Sequence, residues 1–368
     1  MRTILDNITG EARRGELVAI LGSSGAGKST LLNCLSGRLN TGTLTGSITF
    51  AGRRRERSTW KSVSAFVEQD DALYPNMTVR ETLRTAAYLR LPSSRYTRDE
   101  KNAQAEAIIK SLRLTKAADT RIGDGLKRGV SGGERKRAAI GQELVGSPDV
   151  LFLDEPTSGL DSNSAYAVIE NVRSEAVRTG RVVVLTIHQP SIEVLYLFSK
   201  VVLLSEGATV FFGPPDDALA HFEQLGLPCP PKRNPADFFL DILTIDHDLE
   251  SEPARIRALH DAYRGLEKER KLESGAFSGE IEDVDVFDAR EEPLGGWANS
   301  WWEETGILYR RAWTEIFRNR PLIIAEFAQT IIVMLVMGLA FLRLDNDTRG
   351  IQNRAGILFF WPINQVSL

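Results

Sequence analysis

Cysteine is nearly absent from the chain: Cys34 and Cys229 are the only two in 368 residues. Two thiols build neither a disulfide framework nor a thiolate metal cage, so a reducing compartment is the natural setting. No charge of one sign dominates either, with 45 Lys and Arg against 49 Asp and Glu and a formal net charge of −4. That balance leaves no global field to attract nucleic acid. The densest basic cluster, Arg53 to Arg57, follows Ile48-Thr49-Phe50 and is read as a solvated hairpin tip in preference to an anion site. Met1, Arg2 and Thr3 do not open a secretory leader, so none is expected. Long apolar runs are equally scarce, and one stretch, Leu322 to Leu342, stands apart from the rest.

What the chain does contain is phosphate chemistry. Gly22-Ser23-Ser24-Gly25-Ala26-Gly27-Lys28-Ser29 fits the phosphate-loop pattern of two glycines five apart followed by lysine and a hydroxyl residue. The run Leu17 to Leu21 predicts a buried strand before it, and Ser29 to Leu35 predicts a helix after it. Glycines let the backbone curl until its N–H groups face phosphate oxygens. The helix N-terminus adds a partial positive charge, Lys28 a full one, and Ser29 a hydroxyl ligand for Mg²⁺, with Thr30 completing the cradle.

A second apolar run, Val150 to Leu153, ends in Asp154 and Glu155. This is the pattern of a central parallel strand that delivers charge at its C-terminal edge, where open α/β sheets bind ligands. Asp154 is expected to hold the Mg²⁺ shell, and Glu155 to orient and deprotonate the attacking water. Before that strand lies Val130-Ser131-Gly132-Gly133-Glu134-Arg135, a glycine-rich turn at a helix start. Ser131 and the Gly132 and Gly133 amides there are free to grip a γ-phosphate.

These motifs together resemble the ATP-binding cassette proteins. Ser131 to Arg135 matches that family's signature, Ser158-Gly159-Leu160-Asp161 its dimer-contact loop, His188 its switch histidine, and Gln69 in Phe66-Val-Glu-Gln-Asp-Asp71 its Q-loop glutamine. The resemblance implies that Gln69 contacts Mg²⁺ and that Ser131, Gly132, Gly133 and Glu134 face a nucleotide held by a second copy. His188 is then a donor to the γ-phosphate, although a polar strand terminus would look the same. Asp161 is either an N-cap for a helix near Ser164 or part of the composite site, or both.

Within that family the chain is similar to the G subfamily, in which the ATPase precedes the membrane domain. Leu31 to Arg38, Val79 to Leu83, His188 to Ser191, Val210 to Gly213 and Asn234 to Phe239 carry the likeness. The implied fold is an α/β P-loop ATPase with a helical subdomain, followed by α-helical transmembrane structure. The implied ligands are ATP and Mg²⁺, and the implied partners are a second half-transporter subunit, the lipid bilayer and a hydrophobic or amphipathic cargo. One family feature is missing, because Arg2-Thr3 offers no aromatic ring to stack on adenine. Weaker and less base-selective ATP binding is expected from its loss.

Punctuation and composition divide the chain. Residues 1–245 alternate strand and helix patterns and form the nucleotide-binding domain, with the helical subdomain at about 70–140. Residues 246–296 are read as a charged linker containing a helix from Pro253 to Leu272 and a disordered acidic end. Residues 297–320, where Trp297, Trp301, Trp302 and Trp313 mix with Arg310, Arg311, Arg318 and Arg320, suit an amphipathic helix at a membrane interface. Residues 321–343 are long enough to span, with Glu326 and Gln329 turned to other helices or the headgroup edge. Residues 344–368 are read as a loop on the far side and the start of an incomplete second span. A single span cannot enclose a path, so a transport-incompetent product stays open as an alternative. A soluble cassette ATPase and a P-loop kinase are further alternatives, disfavoured by the apolar run and by the signature respectively.

Overall fold

In the computed structural model the described residues are 3–39, 41–124, 128–244, 252–273 and 298–340. Met1, Arg2, Trp297, the acidic stretch near Glu280 to Pro293 and the segment expected to begin a second span lie outside them. The chain divides into two compact units, residues 1–307 and 308–368.

The first unit is built on a six-stranded sheet: β1 (Leu17–Gly22), β4 (Ser64–Val67), β5 (Val150–Leu153), β6 (Val182–Thr186), β7 (Lys200–Ser205) and β8 (Ala208–Gly213), in the order β4-β5-β6-β1-β7-β8. Its first five strands are parallel, and β8 returns antiparallel to β7. The central strands are almost wholly apolar because both faces of the sheet are buried. Leu17, Ala19 and Leu21 join the larger core with Leu151, Leu153, Val183 and Leu185. Val18 and Ile20 point the other way, into a smaller core with Phe152, Val184 and Trp60. This alternation is the two-residue period of the strand divided between two buried faces.

Helix α1 (Lys28–Ser36) follows β1 and ends at Gly37, which adopts φ 75°. A small hairpin of β2 (Thr49–Phe50) and β3 (Arg53–Arg54) and the short α2 (Arg57–Val63) lead into β4. The hairpin corrects the reading of the arginine cluster. Its tip is Ala51-Gly52, both at positive φ, while Arg53 and Arg54 form the returning strand and Arg55 is half-buried. Arg55 donates to the carbonyl oxygens of Cys34 and Leu35, 2.8 Å for the latter, and so closes the C-terminal end of α1.

Between β4 and β5 the chain turns helical, as expected: α3 (Val79–Arg90), α4 (Arg98–Ser111), a short 3₁₀ turn (Thr115–Ala117) and α5 (Gly132–Leu144). Reciprocal capping by Thr78 with Glu81, Thr97 with Glu100 and Ser131 with Glu134 starts all three α-helices. They meet through Leu83, Ile108 and Leu112 at Gly141, where a Cβ would lie 3.0 Å from the Leu112 side chain. Helix α6 (Ser162–Thr179) joins β5 to β6, the one-turn α7 (Ile192–Leu195) joins β6 to β7, and α8 (Pro215–Gln224) and α9 (Pro235–Leu243) follow β8.

Helix α10 (Glu252–Glu273) falls inside the stretch read as a linker, yet it packs. Ile256, Leu259 and Tyr263 are buried in the larger core, and the Tyr263 ring lies 6.3 Å from that of Phe211 in β8. Helix α11 (Trp301–Arg318) begins in the first unit and continues into the second, with Trp301 and Trp302 exposed and in edge-to-face contact. In the second unit α12 (Arg320–Ala340) is predominantly apolar, interrupted by Glu326 and Gln329, and Ile324, Phe327 and Leu339 are each about two-thirds exposed. Among the described residues it is the one helix long and apolar enough to cross a membrane.

Candidate active site

The phosphate loop joins β1 to α1 at the C-terminal edge of the sheet. Gly25 and Gly27 take φ values of 82° and 99°, conformations that a side chain resists. Gly22 passes so close to β7 that a Cβ would meet the Leu204 carbonyl oxygen at 2.4 Å. Lys28 is buried and donates from Nζ to the carbonyl oxygens of Gly22 and Ser23, both at 2.9 Å. Burial pushes its ammonium below the ordinary lysine value, while the carboxylates of Glu155 and Asp154 act in the opposite direction. The lysine therefore lies across the loop, within the field of two acids.

Those acids stand where β5 ends. Asp154 Oδ1 accepts from the Ser29 hydroxyl at 3.3 Å and from the Thr186 hydroxyl at 2.6 Å. The backbone N–H of Glu155 donates to the same Thr186 oxygen at 2.9 Å. Glu155 is held at φ 43°, a left-handed conformation that costs energy for a residue with a side chain. Gln69, on the segment after β4, donates from Nε2 to Glu155 Oε2 at 3.2 Å and lies 3.5 Å from the Ser158 hydroxyl. Three separate strand ends thus bring Ser29, Gln69, Asp154 and Glu155 together.

Thr186 and Lys136 are absent from the residues proposed on sequence alone. Thr186 is fully buried at the end of a strand that is otherwise valine and leucine. A hydroxyl in such a run must find a partner, and that was the available signal. Lys136 is 3% exposed, pairs with Asp71 at 2.7 Å and donates to the Gln69 carbonyl oxygen at 2.7 Å. It ties α5 to the glutamine segment, a link no local pattern reveals.

His188 follows β6 by two residues and is exposed, beside Gln189 at φ 44°. The Asn234 amide donates to the Pro190 carbonyl oxygen at 2.9 Å, holding the far side of that turn. Ser131 and Glu134 bond to each other at the start of α5, the Glu134 N–H to the Ser131 hydroxyl at 3.3 Å and the Ser131 N–H to the Glu134 carboxylate at 2.9 Å. Gly132 and Gly133 let this turn press against the start of α6, since Cβ atoms there would stand 3.1 Å from Leu160 and 3.2 Å from Ser164. Asp161 caps α6, accepting from the Ser164 N–H at 3.2 Å. Hydrogen bonds from the Ser164 side chain and backbone hold its carboxyl below the usual range. Ser131, Gly132, Gly133, Glu134 and Asp161 form a second group, joined through Leu160 and Ser164 rather than through the phosphate loop.

The Ser29 hydroxyl and the Asp154 carboxylate, with the Gln69 amide held on the neighbouring Glu155, offer hard oxygen donors that suit Mg²⁺ bound together with phosphates. No cluster of three or more His, Cys, Asp or Glu able to hold a metal alone occurs among the described residues.

The chain is similar to known proteins along most of its length. Residues 5–158 match the ABC transporter family, and residues 188–256 and 303–367 match two ABC-2 type transporter families. The chain is 40% identical over 385 residues to ABC transporter G family member 5 of Oryza sativa subsp. japonica, covering 97% of this chain and 48% of that protein. The chain belongs to the G family of ATP-binding cassette transporters. It is also 38% identical over 385 residues to the broad substrate specificity ATP-binding cassette transporter ABCG2 of Bos taurus, covering 99% of this chain and 58% of that one. Among solved structures it is similar to cbiO1 of Clostridium perfringens, part of the ABC transporter complex cbiONQ, at a TM-score of 0.53 and 26% identity over 61% of this chain and 86% of that one. The P-loop ATPase fold of the cassette family is therefore the fold of the first unit. The chain spans about half the length of the curated G-family relatives that it matches.

Proposed function

We propose that the chain is the ATP-hydrolysing part of a half-transporter that pairs with a second subunit around two ATP molecules and drives export of a lipid, sterol or amphipathic xenobiotic. One observation carries this reading: Gln69, Asp154, Glu155 and Ser29 converge beside the phosphate loop, while the Ser131 turn belongs to a separate group built on α6.

In this reading the loop N–H groups and Lys28 bind the β- and γ-phosphates, and Ser29, Asp154 and Gln69 hold Mg²⁺. Bound there by these residues, Mg²⁺ would supply positive charge against the negative charge that develops on the phosphates. Glu155, aimed by Gln69 and by the Thr186 contact to its backbone, takes the proton of the attacking water. His188 donates to the γ-phosphate. The Ser131 hydroxyl and the glycine amides of the second subunit close the site, so that ATP joins the two subunits and hydrolysis releases them. Asp161 caps α6 and stands beside the same interface. The exposed tryptophans of α11 suit the headgroup layer, and α12 suits the hydrocarbon core, about 30 Å at 1.5 Å per residue. The ATPase unit then faces the cytosol, where ATP is supplied.

Mixing tests the shared site. Ser131→Arg spoils the face a subunit lends, and Lys28→Ala spoils the loop it owns. A dimer of one Ser131→Arg chain with one Lys28→Ala chain keeps a single intact composite site, so the mixture should hydrolyse ATP when neither variant does alone. A mixture as inactive as its components contradicts the reading.

A further inference from the structure

The segment before β1 crosses the phosphate loop from outside. Ile4 and Leu5 pass over Gly207 and Gly27: a Cβ on Gly207 would lie 2.0 Å from the Ile4 carbonyl oxygen, a distance only glycine allows, and one on Gly27 would lie 2.8 Å from the tip of the Leu5 side chain. The Asp6 N–H donates to the Gly207 carbonyl oxygen at 2.8 Å, and the Gly207 N–H donates to the Ala26 carbonyl oxygen at 3.1 Å. Ala26 lies between the two left-handed glycines of the loop. Ala26 is thus tied at its carbonyl oxygen to the turn after β7 and at its N–H to the Ser23 carbonyl oxygen, 3.2 Å away, which holds the curl of the loop.

Helix α10 holds the outer end of this chain of bonds. Arg264 donates to the Asp6 carboxylate at 2.9 Å. One turn earlier His260 Nε2 lies 3.1 Å from the Ser205 carbonyl oxygen, at the end of β7 and two residues before Gly207. The helix is fixed to the sheet by Ile256, Leu259 and Tyr263, so it grips the Gly207 turn from two sides. The Arg264 and Asp6 side chains are 44% and 61% exposed, and a cleft of about 530 Å³ lined by Asp6, Asn7, Arg264, Glu267 and Lys268 opens beside them. Water and salt therefore reach the pair.

We propose that Arg264 is a positioning residue for the phosphate loop: through Asp6 and Gly207 it holds Ala26 in the conformation that binds nucleotide, and so sets ATP affinity from a helix outside the motifs. It touches neither phosphate nor the reacting water. Its loss weakens binding and leaves the chemical step intact. The inference rests on the reading of the loop as the ATP site.

The test is equilibrium ATP binding and steady-state ATPase kinetics on the full chain. Arg264→Glu and Asp6→Asn should each raise Kd and KM for ATP about threefold or more, the scale of an exposed pair lost or reversed, with kcat within about twofold of wild type. Asp6→Arg combined with Arg264→Asp should bring KM back towards the wild-type value. Asp6→Asn keeps the shape of the side chain, so it gives the answer even where Arg264→Glu fails to fold. Unchanged KM in Asp6→Asn, a fall confined to kcat, or a double variant no better than the singles overturns the proposal. Lys28→Ala is the control for the underlying reading. If it binds ATP like wild type, the loop is not the site; if it loses ATP while Asp6→Asn keeps wild-type affinity, only the role of Arg264 fails.

Discussion

The Thr186 hydroxyl donates to Asp154 Oδ1 at 2.6 Å, and its oxygen also accepts the backbone N–H of Glu155. One buried hydroxyl thus sets the direction of the proposed metal ligand and the backbone of the proposed base. Thr186→Val keeps the volume and removes the hydrogen bonds. A bond to a charged group is worth about 1.5–3 kcal/mol, so kcat is expected to fall by about tenfold or more with a smaller change in KM. Thr186→Ser should retain most of the turnover in the same steady-state assay.

Lys28→Ala removes the charge that lies across the phosphate loop. Calorimetric titration should show ATP affinity reduced by about two orders of magnitude, the equivalent of roughly 3 kcal/mol. Wild-type affinity would remove Lys28 from phosphate binding.

Leu259→Ala distinguishes a packed α10 from a tether. Leu259 is 5% exposed, and truncating a buried leucine costs about 2–5 kcal/mol. Urea unfolding of the variant should show a lower midpoint with an unchanged slope. A midpoint equal to wild type would mean that the helix adds nothing to the domain.

Helix α12 should keep the chain in the membrane fraction after carbonate extraction. A charge at its centre, as in Ile331→Arg, costs about 2.5–3.5 kcal/mol on an insertion scale and should release a measurable part of the protein. Complete release of the wild-type chain would argue against the span.

Much of this could be read from residues close together in sequence. The apolar runs that became β1, β5 and β6 needed no partner to declare themselves, and the phosphate loop is contiguous. The helices around Val79 and Ala103 fall within the stretch read as a helical subdomain. What escaped depends on distance in sequence or on mixed composition. Ile256, Leu259 and Tyr263 have helical spacing, but they are diluted by arginine and glutamate on the solvent face of α10, which made the segment read as a linker. Arg55 was grouped with its arginine neighbours because the α1 carbonyl oxygens it closes lie 20 and 21 residues away. Asn299 is the extreme case. Its side-chain oxygen accepts from the backbone and hydroxyl of Ser93, 206 residues earlier, and from the buried Lys101. Its amide donates to the carbonyl oxygens of Tyr88 and Leu89 at the end of α3. Nothing near Asn299 in the chain hints at that arrangement.

The most direct measurement is the mass of Glu155→Gln protein in detergent by multi-angle light scattering, with Mg-ATP, with Mg-ADP and without nucleotide. Loss of a general base slows hydrolysis by about 10²–10⁴, so bound ATP persists. The account predicts a dimer that appears with Mg-ATP, dissolves with Mg-ADP and is absent when Lys28→Ala is added. A monomer at saturating Mg-ATP would contradict the claim that two protomers share each triphosphate.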